Sequence, residues 1–367
     1  SPRATGRRPA HPCDNTRPNM NQKITVAAAH LAPVYLDARA TVDKVCDYIH
    51  KAAAEGVQLI AFPESFVPGF PVWPALAAPI HNHDLFKRFV SQSIRVPGPE
   101  ILKICSAARE TGMIVSIGIS ESTDRSVGCI WNTNLLIGAD GSILNHHRKL
   151  VPTFYEKLVW SNGDGAGLRV VDTPLGRIGA LICGENTNPL ARYSLIAQGE
   201  QIHISSYPPV WPTHEPSAND RYDLASANRI RAAAHSFEGK VFNIVCAARL
   251  DDTAYEIISR INGDALRIVK ESPPGVSMIV GPSGLAIAES AKDEDQLLIE
   301  QIDLDDCIVP KQFHDVSGYY NRYDVFGLTV RRRDQAPAQF DDIGGDGRAV
   351  PFAALEAGAL EDEAAAG

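Results

Sequence analysis

The sequence predicts an α/β fold in which helices cover mixed β-sheets. In the first third of the chain, strand patterns alternate with helical periodicity, which is typical of parallel strands joined by helical crossovers. Farther along, pairs of short strands flank tight turns, which indicates antiparallel hairpins within the same architecture. The hydrophobic fraction is 44% and the charged fraction 22%, so the chain can form a large core without disulfides or structural metals.

A strand, a helix and a second strand are predicted between residues 23 and 62. Residues 23–29 have a strand pattern, and residues 41–54 carry one apolar helical face. The apolar residues on that face are Val42, Val45, Cys46, Ile49 and Ala53. Gly56 is placed to end the helix, and Pro63 terminates a short strand at residues 57–62.

Another helix and strand are followed by two hairpins. Residues 99–111 repeat the helical pattern, Gly112 ends it, and residues 113–119 are again strand-like. The predicted hairpins pair residues 131–137 with 142–146, and residues 168–172 with 177–182. Ala-Asp-Gly and Pro-Leu-Gly supply the two turns, so the sheets are expected to be mixed and not purely parallel.

Two further helices and five strands are predicted in the second half of the chain. The helices span residues 188–198 and 224–237. The strands are residues 201–207, 240–247, 276–280, 286–290 and 297–302. No internal repeat is visible, and we expect one domain over residues 20–333.

The two ends of the chain differ in composition from this domain. Residues 1–19 are rich in proline and arginine, nearly lack acidic residues and show no apolar periodicity. We expect a disordered leader or an artificial extension ahead of a natural start at Met20, with a transit peptide as the alternative. Residues 334–367 consist largely of Ala, Gly, Asp and Glu and are predicted to form a solvated acidic tail.

Charge and cysteine content restrict the partners and the location. The net charge of −9 argues against nucleic acid, which requires a basic face, and against anionic membrane surfaces. No apolar stretch is long enough to span a membrane. The seven cysteines are an odd number and form no Cys-x-x-Cys pair, which predicts a reducing, cytoplasmic location.

Cys183 has the most distinctive surroundings of the candidate catalytic residues. An apolar strand ends at this cysteine, a short turn follows, and Asn188 and Pro189 provide the N-cap and first residue of a helix. Such an elbow lifts a side chain clear of the sheet and close to a helix N-terminus, whose positive potential favours a thiolate. The local pattern alone is equally compatible with an inert buried thiol.

Two carboxylates and a lysine complete the candidate set. Glu64 lies between a predicted strand and a proline-rich apolar loop, where partial desolvation would make it a better general base. Lys149 ends the 142–146 hairpin, where its cation could stabilise negative charge on a substrate. Glu156 follows shortly afterwards and could orient Lys149. Locally, a surface carboxylate and a solvated basic turn remain the alternatives.

Glu64, Lys149 and Cys183, in this order and each after a strand, resemble the nitrilase superfamily of carbon–nitrogen hydrolases. The matching motifs are Ala-Phe-Pro-Glu-Ser-Phe around Glu64, His-Arg-Lys-Leu-Val-Pro-Thr around Lys149, and Ala-Leu-Ile-Cys-Gly-Glu-Asn around Cys183. The resemblance covers residues 23–330. Because three separate motifs occur in the family's order, the alternatives of an inert thiol, a surface carboxylate and a solvated basic turn are no longer favoured.

Within the superfamily the chain is most similar to the nitrilase branch. Residues 152–165 and 199–205 carry that similarity, and Glu156 matches the second, structural or catalytic glutamate of the branch. One departure is Gly184, because nitrilases commonly have a tryptophan directly after the nucleophile. The missing indole is expected to widen or reshape the pocket beside the sulfur, which affects substrate preference but not the chemistry.

The resemblance implies a four-layer α-β-β-α sandwich with two mixed sheets. It also implies that Glu64 takes the proton of Cys183, that the sulfur attacks a nitrile carbon, and that Lys149 stabilises charge on the nitrogen. The resulting thioimidate is hydrolysed to a carboxylic acid and ammonia without a metal or organic cofactor. The alternatives are an amidase of the same superfamily, a nitrile or cyanide hydratase that stops at the amide, and a non-catalytic scaffold.

Motif proximity gives the candidate substrate-binding residues, which are Phe66, Trp73, Trp160, Gly184, Tyr207, Pro208 and Trp211. Three other features receive structural interpretations. The glycine-rich residues 163–167 lack the lysine of a phosphate loop and are predicted to form a turn. Residues 81–84 are predicted to be a polar loop and not a metal site, and His203 a strand residue with satisfied hydrogen bonds.

The resemblance also implies a homo-oligomer, built from dimers that pair across a helical face and extended to a spiral or filament. Residues 318–330 concentrate three tyrosines and a phenylalanine just before the acidic tail. These aromatic residues either form an interface or complete the core. The tail is expected to regulate or cap the assembly.

Overall fold

The computed structural model describes residues 23–215, 217–218 and 222–333. Within these residues the strands are β1 (Lys23–His30), β2 (Leu59–Ala61), β3 (Ile94–Arg95), β4 (Ile114–Ser122), β5 (Trp131–Ile137), β6 (Ile143–Arg148), β7 (Val171–Thr173), β8 (Gly176–Ile182), β9 (Ile202–Tyr207), β10 (Phe242–Ala247), β11 (Ser277–Val280), β12 (Ala286–Ser290) and β13 (Gln296–Asp303). The α-helices are α1 (Ala38–Ala54), α2 (His83–Gln92), α3 (Pro99–Thr111), α4 (Pro189–Ile196), α5 (Leu224–Gly239), α6 (Asp252–Ser259), α7 (Ala265–Glu271) and α8 (Ile308–Phe313). Short 3₁₀ turns occur at Trp73–Ala75, Pro79–His81, Phe154–Leu158, Cys183–Thr187 and Leu304–Cys307.

The strands form two mixed sheets. The first has the order β13-β1-β2-β4-β5-β6, with β3 beside β4. In it β1, β2 and β4 are parallel, whereas β13, β5 and β6 pair antiparallel. The second has the order β12-β11-β10-β9-β8-β7, with a parallel centre of β8, β9 and β10 and antiparallel edges. The predicted mixture of crossovers and hairpins is therefore confirmed.

The side chains of β1 show how the layers are built. Val26 and Ala28 belong to the core between the two sheets, together with residues of β8, β9 and β10. Ala27 and Ala29 point the other way, into a core that includes the apolar faces of α1 and α3. This alternation is the two-residue period of a strand buried on both faces.

The opposite face of the second sheet is covered by α4 and α5. Leu195 of α4 packs against Leu181 of β8, and Ala232 of α5 belongs to a core that includes Val245 of β10. The molecule is thus a helix–sheet–sheet–helix sandwich, and the expected four-layer α/β fold is confirmed.

The helices follow from their local sequence signals. In α1, Asp37 is the N-cap and its side chain accepts a hydrogen bond from the Ala40 N–H. The predicted apolar face is buried, although Ala52 and not Ala53 is its last fully buried residue. Gly112, in the left-handed conformation, ends α3 as predicted.

Several elements differ from the sequence-based expectation. Residues 81–84 are not a polar loop, because a 3₁₀ turn ends at His81 and α2 begins at His83. The short helices α6, α7 and α8 were not predicted, since 6 to 8 residues offer too little periodicity to stand out. The expected strand at 168–172 is reduced to β7, whereas residues 163–167 form the predicted irregular turn.

The predicted leader at residues 1–19 and acidic tail at residues 334–367 lie outside the described residues. Before the tail, the aromatic residues of segment 318–330 are largely exposed, with Phe326 at 73%. The possibility that they complete the core is therefore wrong. None of the helices in the described part of the chain is long and apolar enough to cross a membrane.

Gly118 of β4 lets the sheet approach the turn that carries Glu64. A Cβ at this position would lie 2.2 Å from the Pro63 carbonyl oxygen and 2.9 Å from the Glu64 Cα. We predict that Gly118→Ala lowers the free energy of unfolding by roughly 1–3 kcal/mol, because backbone must move to relieve the overlap. Denaturant unfolding monitored by tryptophan fluorescence measures the change.

The matched control is Gly128→Ala, at an exposed position where an added Cβ has no atom within 4 Å. We expect its unfolding free energy to change by less than about 0.5 kcal/mol. Equal stability of the two variants would contradict the close packing of Gly118 against the Glu64 turn.

Candidate active site

Cys183 lies on a sharp turn at the end of a buried strand. Strand β8 stops at Ile182, and Cys183 has φ of 48°, a left-handed conformation that is strained for a residue with a side chain. The Asn188 side chain accepts a hydrogen bond from the Leu190 N–H at 2.9 Å and caps α4. The predicted strand, turn and capped helix are all present, so the elbow prediction is confirmed.

Glu185 fastens the elbow to the segment that carries Lys149. Its carboxylate accepts hydrogen bonds from the Ile182 N–H at 2.8 Å and the Leu150 N–H at 2.6 Å. The His147 ring nitrogen Nε2 lies 2.9 Å from the same carboxylate. Burial alone would raise the pKa of Glu185, but His147 and the two backbone donors lower it. Sequence analysis missed this brace, although Glu185 stands within the Cys183 motif.

Glu64 is completely buried in the turn after β2. Its Oε1 accepts hydrogen bonds from Asn132 Nδ2 and from Lys149 Nζ, both at 2.7 Å. Its Oε2 has no hydrogen-bond partner among the described residues. One oxygen is therefore fixed in place, while the other is available to a reacting group. Asn132 of β5 was not identified from the sequence.

Lys149 joins two buried carboxylates. It follows β6 directly, and its Nζ donates to Glu64 and to Glu156 Oε2, each at 2.7 Å. Burial would lower the pKa of Lys149, but Glu156 and Glu64 together raise it above its ordinary value. The ammonium is therefore permanently charged, and the orientation of Lys149 by Glu156 that was predicted from the sequence is observed.

Glu156 is held in the 3₁₀ turn Phe154–Leu158. Its Oε2 also accepts the Thr153 N–H at 2.8 Å, and its Oε1 has no partner among the described residues. Burial and the negative charge of Glu64 raise the pKa of Glu156 to about 7, although Lys149 acts in the opposite direction. This carboxyl group can therefore give or take a proton near neutral pH.

The sulfur of Cys183 lies close to both acids. Its Sγ and one carboxylate oxygen each of Glu64 and Glu156 are all within 4.8 Å of one another. Burial, and then the charge of Glu64, raises the pKa of the Cys183 thiol well above its ordinary value, which outweighs the effect of Lys149. The thiolate-favouring potential expected at the helix N-terminus is thus opposed by burial, which is consistent with the expected removal of the thiol proton by Glu64.

Two clusters of side chains have the spacing of metal ligands within the described residues. The first consists of Glu64, Glu156 and Cys183. The Lys149 ammonium lies between its two carboxylates and already supplies positive charge there. The second consists of Glu200, His203 and His235, which are buried behind the elbow and bonded to one another.

Three of the predicted substrate-binding residues belong to one aromatic cluster beside Glu156. Trp160 and Trp211 both make edge contacts with Phe70, and Trp73 and Trp160 both contact Phe89. Trp211 stacks on Tyr155 with ring centroids 4.4 Å apart, and Tyr155 precedes Glu156. The cluster forms an apolar wall that leads directly to the buried carboxylates.

The other predicted pocket residues lie apart from this wall. Phe66 is packed with Phe62 in the core under α1 and α3, so the structure does not bring it to the site. Tyr207 shares a core cluster with Cys183, and the adjoining Pro208 is also buried. Gly184 lines a groove of about 280 Å³ together with Leu150, Val151, Pro152, Thr153, Phe154, Lys157, Glu185 and Asn188.

Three buried polar atoms near the sulfur have no partner among the described residues. They are the hydroxyls of Tyr155 and Tyr207 and the Nη1 of Arg231. Arg231 is oriented by bonds to Thr187 Oγ1 and Tyr222 OH, both at 2.7 Å. Because a buried donor without a partner is costly, these atoms are suited to a polar ligand. Nothing in their local sequence distinguished Tyr155 or Arg231 as site residues.

Comparison with known proteins agrees with this geometry. The family model for carbon–nitrogen hydrolases matches residues 25–311. A protein named nitrilase 3, from an unknown prokaryotic organism, is 36% identical over 84% of this chain and 90% of its own length. An arylacetonitrilase of Hypocrea virens is 32% identical over 84% and 91%, and an aliphatic nitrilase of Rhodococcus rhodochrous is 33% identical over 85% and 84%.

Solved structures show the same fold at lower identity. A Saccharomyces cerevisiae member of branch 10 of the nitrilase superfamily has a TM-score of 0.61 and 18% identity, covering 84% of this chain and 98% of that chain. An amidase of Nesterenkonia sp. AN1, seen with a covalent adduct on its active-site cysteine, has a TM-score of 0.57 and 17% identity, covering 78% and 92%. The chain therefore belongs to the carbon–nitrogen hydrolase family, in its nitrilase branch, and is a hydrolase that acts on carbon–nitrogen bonds.

Proposed function

We propose that this enzyme hydrolyses an organic nitrile to the carboxylic acid and ammonia through a covalent intermediate on Cys183. The observation that carries the proposal is the approach of the Cys183 sulfur to two carboxylates that share the Lys149 ammonium. Relatives at 32–36% identity that are named nitrilase or arylacetonitrilase support the choice of a nitrile.

The first step is attack by sulfur on the nitrile carbon. Because burial keeps the thiol protonated, Glu64 must remove the proton as the carbon–sulfur bond forms. Its unpartnered Oε2 is the acceptor, while Asn132 and Lys149 hold Oε1. A base that is fixed at one oxygen and free at the other can transfer the proton without moving.

The nitrile nitrogen gains negative charge as the sulfur adds. Lys149 lies between the two carboxylates and stabilises that charge, and the proton removed from sulfur is passed to the nitrogen. The product is a thioimidate that links the substrate carbon to Cys183.

Two waters complete the reaction. The first adds to the thioimidate carbon with Glu64 as base, and the tetrahedral adduct expels ammonia to leave a thioester. The second adds to the thioester carbon and releases the carboxylic acid and the thiol. Glu156, whose pKa is raised to about 7 by burial and by Glu64, is suited to relay a proton to the leaving nitrogen. Overall, one nitrile and two waters give one acid and one ammonia.

We predict that a panel of aliphatic, aromatic and arylacetonitrile substrates will include nitriles that give acid and ammonia in equal amounts. Acid, amide and ammonia are quantified together, and each nitrile is compared with its matched amide. Faster turnover of the amide would identify an amidase, and accumulation of amide would identify a hydratase. Either result would contradict the proposal.

Variants of cysteine provide the control for the panel. Cys183→Ala should lower turnover to less than about one hundredth of the wild-type rate with an unchanged circular dichroism spectrum. Cys183→Ser should also fail, because a carboxylate does not ionise an alcohol. Cys129→Ala, which removes a half-buried thiol, should retain activity. Substantial turnover by Cys183→Ala would exclude a covalent role for this residue.

We predict that Glu156→Gln lowers kcat by roughly 100-fold or more, with KM little changed. The neutral amide removes one of the two carboxylate charges that hold Lys149 and cannot exchange a proton near pH 7. Steady-state kinetics on the best nitrile measures the effect. The control is Glu110→Gln, an exposed carboxylate of α3, which should behave as the wild type. Activity of Glu156→Gln within twofold of wild type would refute its role.

The exposed apolar surface supports the further proposal that the enzyme acts as a homo-oligomer larger than a dimer, as a spiral or filament. Tyr319, Tyr320, Tyr323 and Phe326 are each at least 64% exposed. Helices α4 and α5, which follow the elbow and pack near it, expose further apolar side chains. Assembly over these surfaces would be coupled to the position of Cys183.

We also propose a cytoplasmic location. The cysteines of the described residues are free thiols, which supports a reducing compartment.

We predict that light scattering and negative-stain microscopy will show assemblies larger than a dimer. A truncation after Arg333 tests whether residues 334–367 regulate or cap the assembly. If the truncated protein assembles and works like the full chain, the tail has no such role. A fully active, monodisperse monomer would refute the oligomer.

A further inference from the structure

Behind the elbow lies a buried polar network that the proposed mechanism does not use. We propose that His203 is a positioning residue for Cys183, acting through Asn186. This inference rests on the proposed role of Cys183 as nucleophile but not on the identity of the substrate. The hydrogen bonds that support this inference run from His203 in β9, through Asn186, to the backbone before and after the Cα of Cys183.

Asn186 is the link to the nucleophile. Its Nδ2 donates to the carbonyl oxygens of Leu181 at 3.3 Å and of Cys183 at 3.1 Å. Its Oδ1 accepts from His203 Nε2 at 2.9 Å and from the Ser205 hydroxyl at 3.2 Å. A single amide therefore fastens the end of β8 and the Cys183 residue itself to the neighbouring strand β9.

His203 is held between Asn186 and Glu200. Because Asn186 Nδ2 faces two carbonyl oxygens, its Oδ1 must be the atom that faces His203 Nε2. On the other side, Glu200 Oε1 lies 2.7 Å from His203 Nδ1. Both ring nitrogens thus lie within hydrogen-bond distance of an oxygen atom, which fixes the orientation of the ring between Glu200 and Asn186. Because the side chains of His203 and Glu200 are fully buried and Asn186 is also buried, water does not compete for these bonds, which makes the hold on Asn186 firm.

His235 of α5 shares Glu200 with His203 but does not reach the elbow. Its Nε2 donates to Glu200 Oε2 at 2.7 Å, and its Nδ1 has no partner among the described residues. Burial and the neighbouring His203 lower the pKa of His235 to about 4, so its ring is neutral. The nearby charged groups of α4 and α5, Arg192 and Glu238, pair with each other.

Glu200 joins the two histidine rings through its two carboxylate oxygens. Burial alone would raise its pKa, but His203 and His235 lower it to about 2. The two rings stack with centroids 3.7 Å apart, and both side chains are fully buried. They make the same contact with Glu200, and only His203 continues to Asn186.

This arrangement matters because the left-handed backbone of Cys183 must be held in place. A residue with φ of 48° relaxes when its surroundings no longer fix it. A small displacement of the sulfur relative to Glu64 and Lys149 is costly, since a shift of about 1 Å can reduce a rate by about 100-fold. The His203 network thus supports the rate of the sulfur's reaction and not the affinity for substrate.

His203→Leu and His235→Leu form the matched pair for the test. Each removes a buried ring and one of the two bonds to Glu200, so both should lower the melting temperature. We expect His203→Leu to reduce kcat at least about tenfold with little change in KM, and His235→Leu to stay near wild type in both. Equal loss of kcat in the two variants, or wild-type kcat in His203→Leu, would overturn the proposal.

Alkylation separates this inference from the choice of substrate. The rate at which iodoacetamide modifies Cys183, followed by mass spectrometry of its peptide, requires no nitrile. We expect it to fall in His203→Leu and to be retained in His235→Leu, whatever compound the enzyme hydrolyses. If nitriles are not substrates but this contrast holds, the proposed function fails and the positioning role stands.

Asn186→Ala and a spectroscopic measurement keep the test decisive if His203→Leu does not fold. The alanine removes the link while leaving His203 paired with Glu200, so kcat and the alkylation rate should again fall at least about tenfold. In protein labelled with ¹⁵N-histidine, the Asn186→Ala substitution should shift the His203 side-chain signals more than those of His235, because His203 contacts Asn186. Wild-type rates in Asn186→Ala, or His203 signals that this substitution does not move, would refute the proposal.

Discussion

The buried ammonium of Lys149 is the interaction on which the rest of the site depends. It is bonded at 2.7 Å to Glu64 after β2 and to Glu156 in a 3₁₀ turn, and all three side chains are fully buried. Breaking a buried pair by removing one partner costs roughly 3–5 kcal/mol, so the fold must bring these segments together accurately. Burial first, and then the negative charge of Glu64, raises the pKa of the Cys183 thiol well above its ordinary value and that of Glu156 to about 7.

A second requirement is that Cys183, the proposed nucleophile, stays in a backbone conformation it would not adopt on its own. Cys183 is left-handed, and such strain persists only where the surroundings over-determine it. Glu185 fixes the elbow from the side of the Lys149 segment by accepting two backbone N–H groups. Asn186 fixes it from the side of β9 by donating to two carbonyl groups. The elbow that carries Cys183 is therefore held from two sides by polar contacts and not by apolar packing alone.

Residues whose positions follow from local sequence patterns could be predicted from the sequence. Cys183 and Lys149 stand directly after strands with clear apolar or hairpin signals, and α1 has a regular apolar face, so their places in the fold were recognisable. The braces could not be found in this way, because the bond between His147 and Glu185 joins residues far apart in sequence and depends on how two sheets pack. The prediction that Phe66 lines the substrate pocket was wrong. Ser65, with φ of 45°, turns the chain, and the Phe66 side chain lies in the core under α1 and α3.

Gly184 packs against the residue that holds Glu156, so its size is linked to the position of this carboxylate. A Cβ at this position would lie 2.7 Å from the Thr153 hydroxyl oxygen, and the Thr153 N–H holds Glu156 Oε2 at 2.8 Å. A larger residue after the nucleophile would therefore press on the residue that positions the second carboxylate, unless Thr153 moved away. The glycine that opens the groove beside Cys183 and the threonine that supports Glu156 thus constrain one another. The departure from the usual tryptophan is therefore accommodated next to the bond between Thr153 and Glu156.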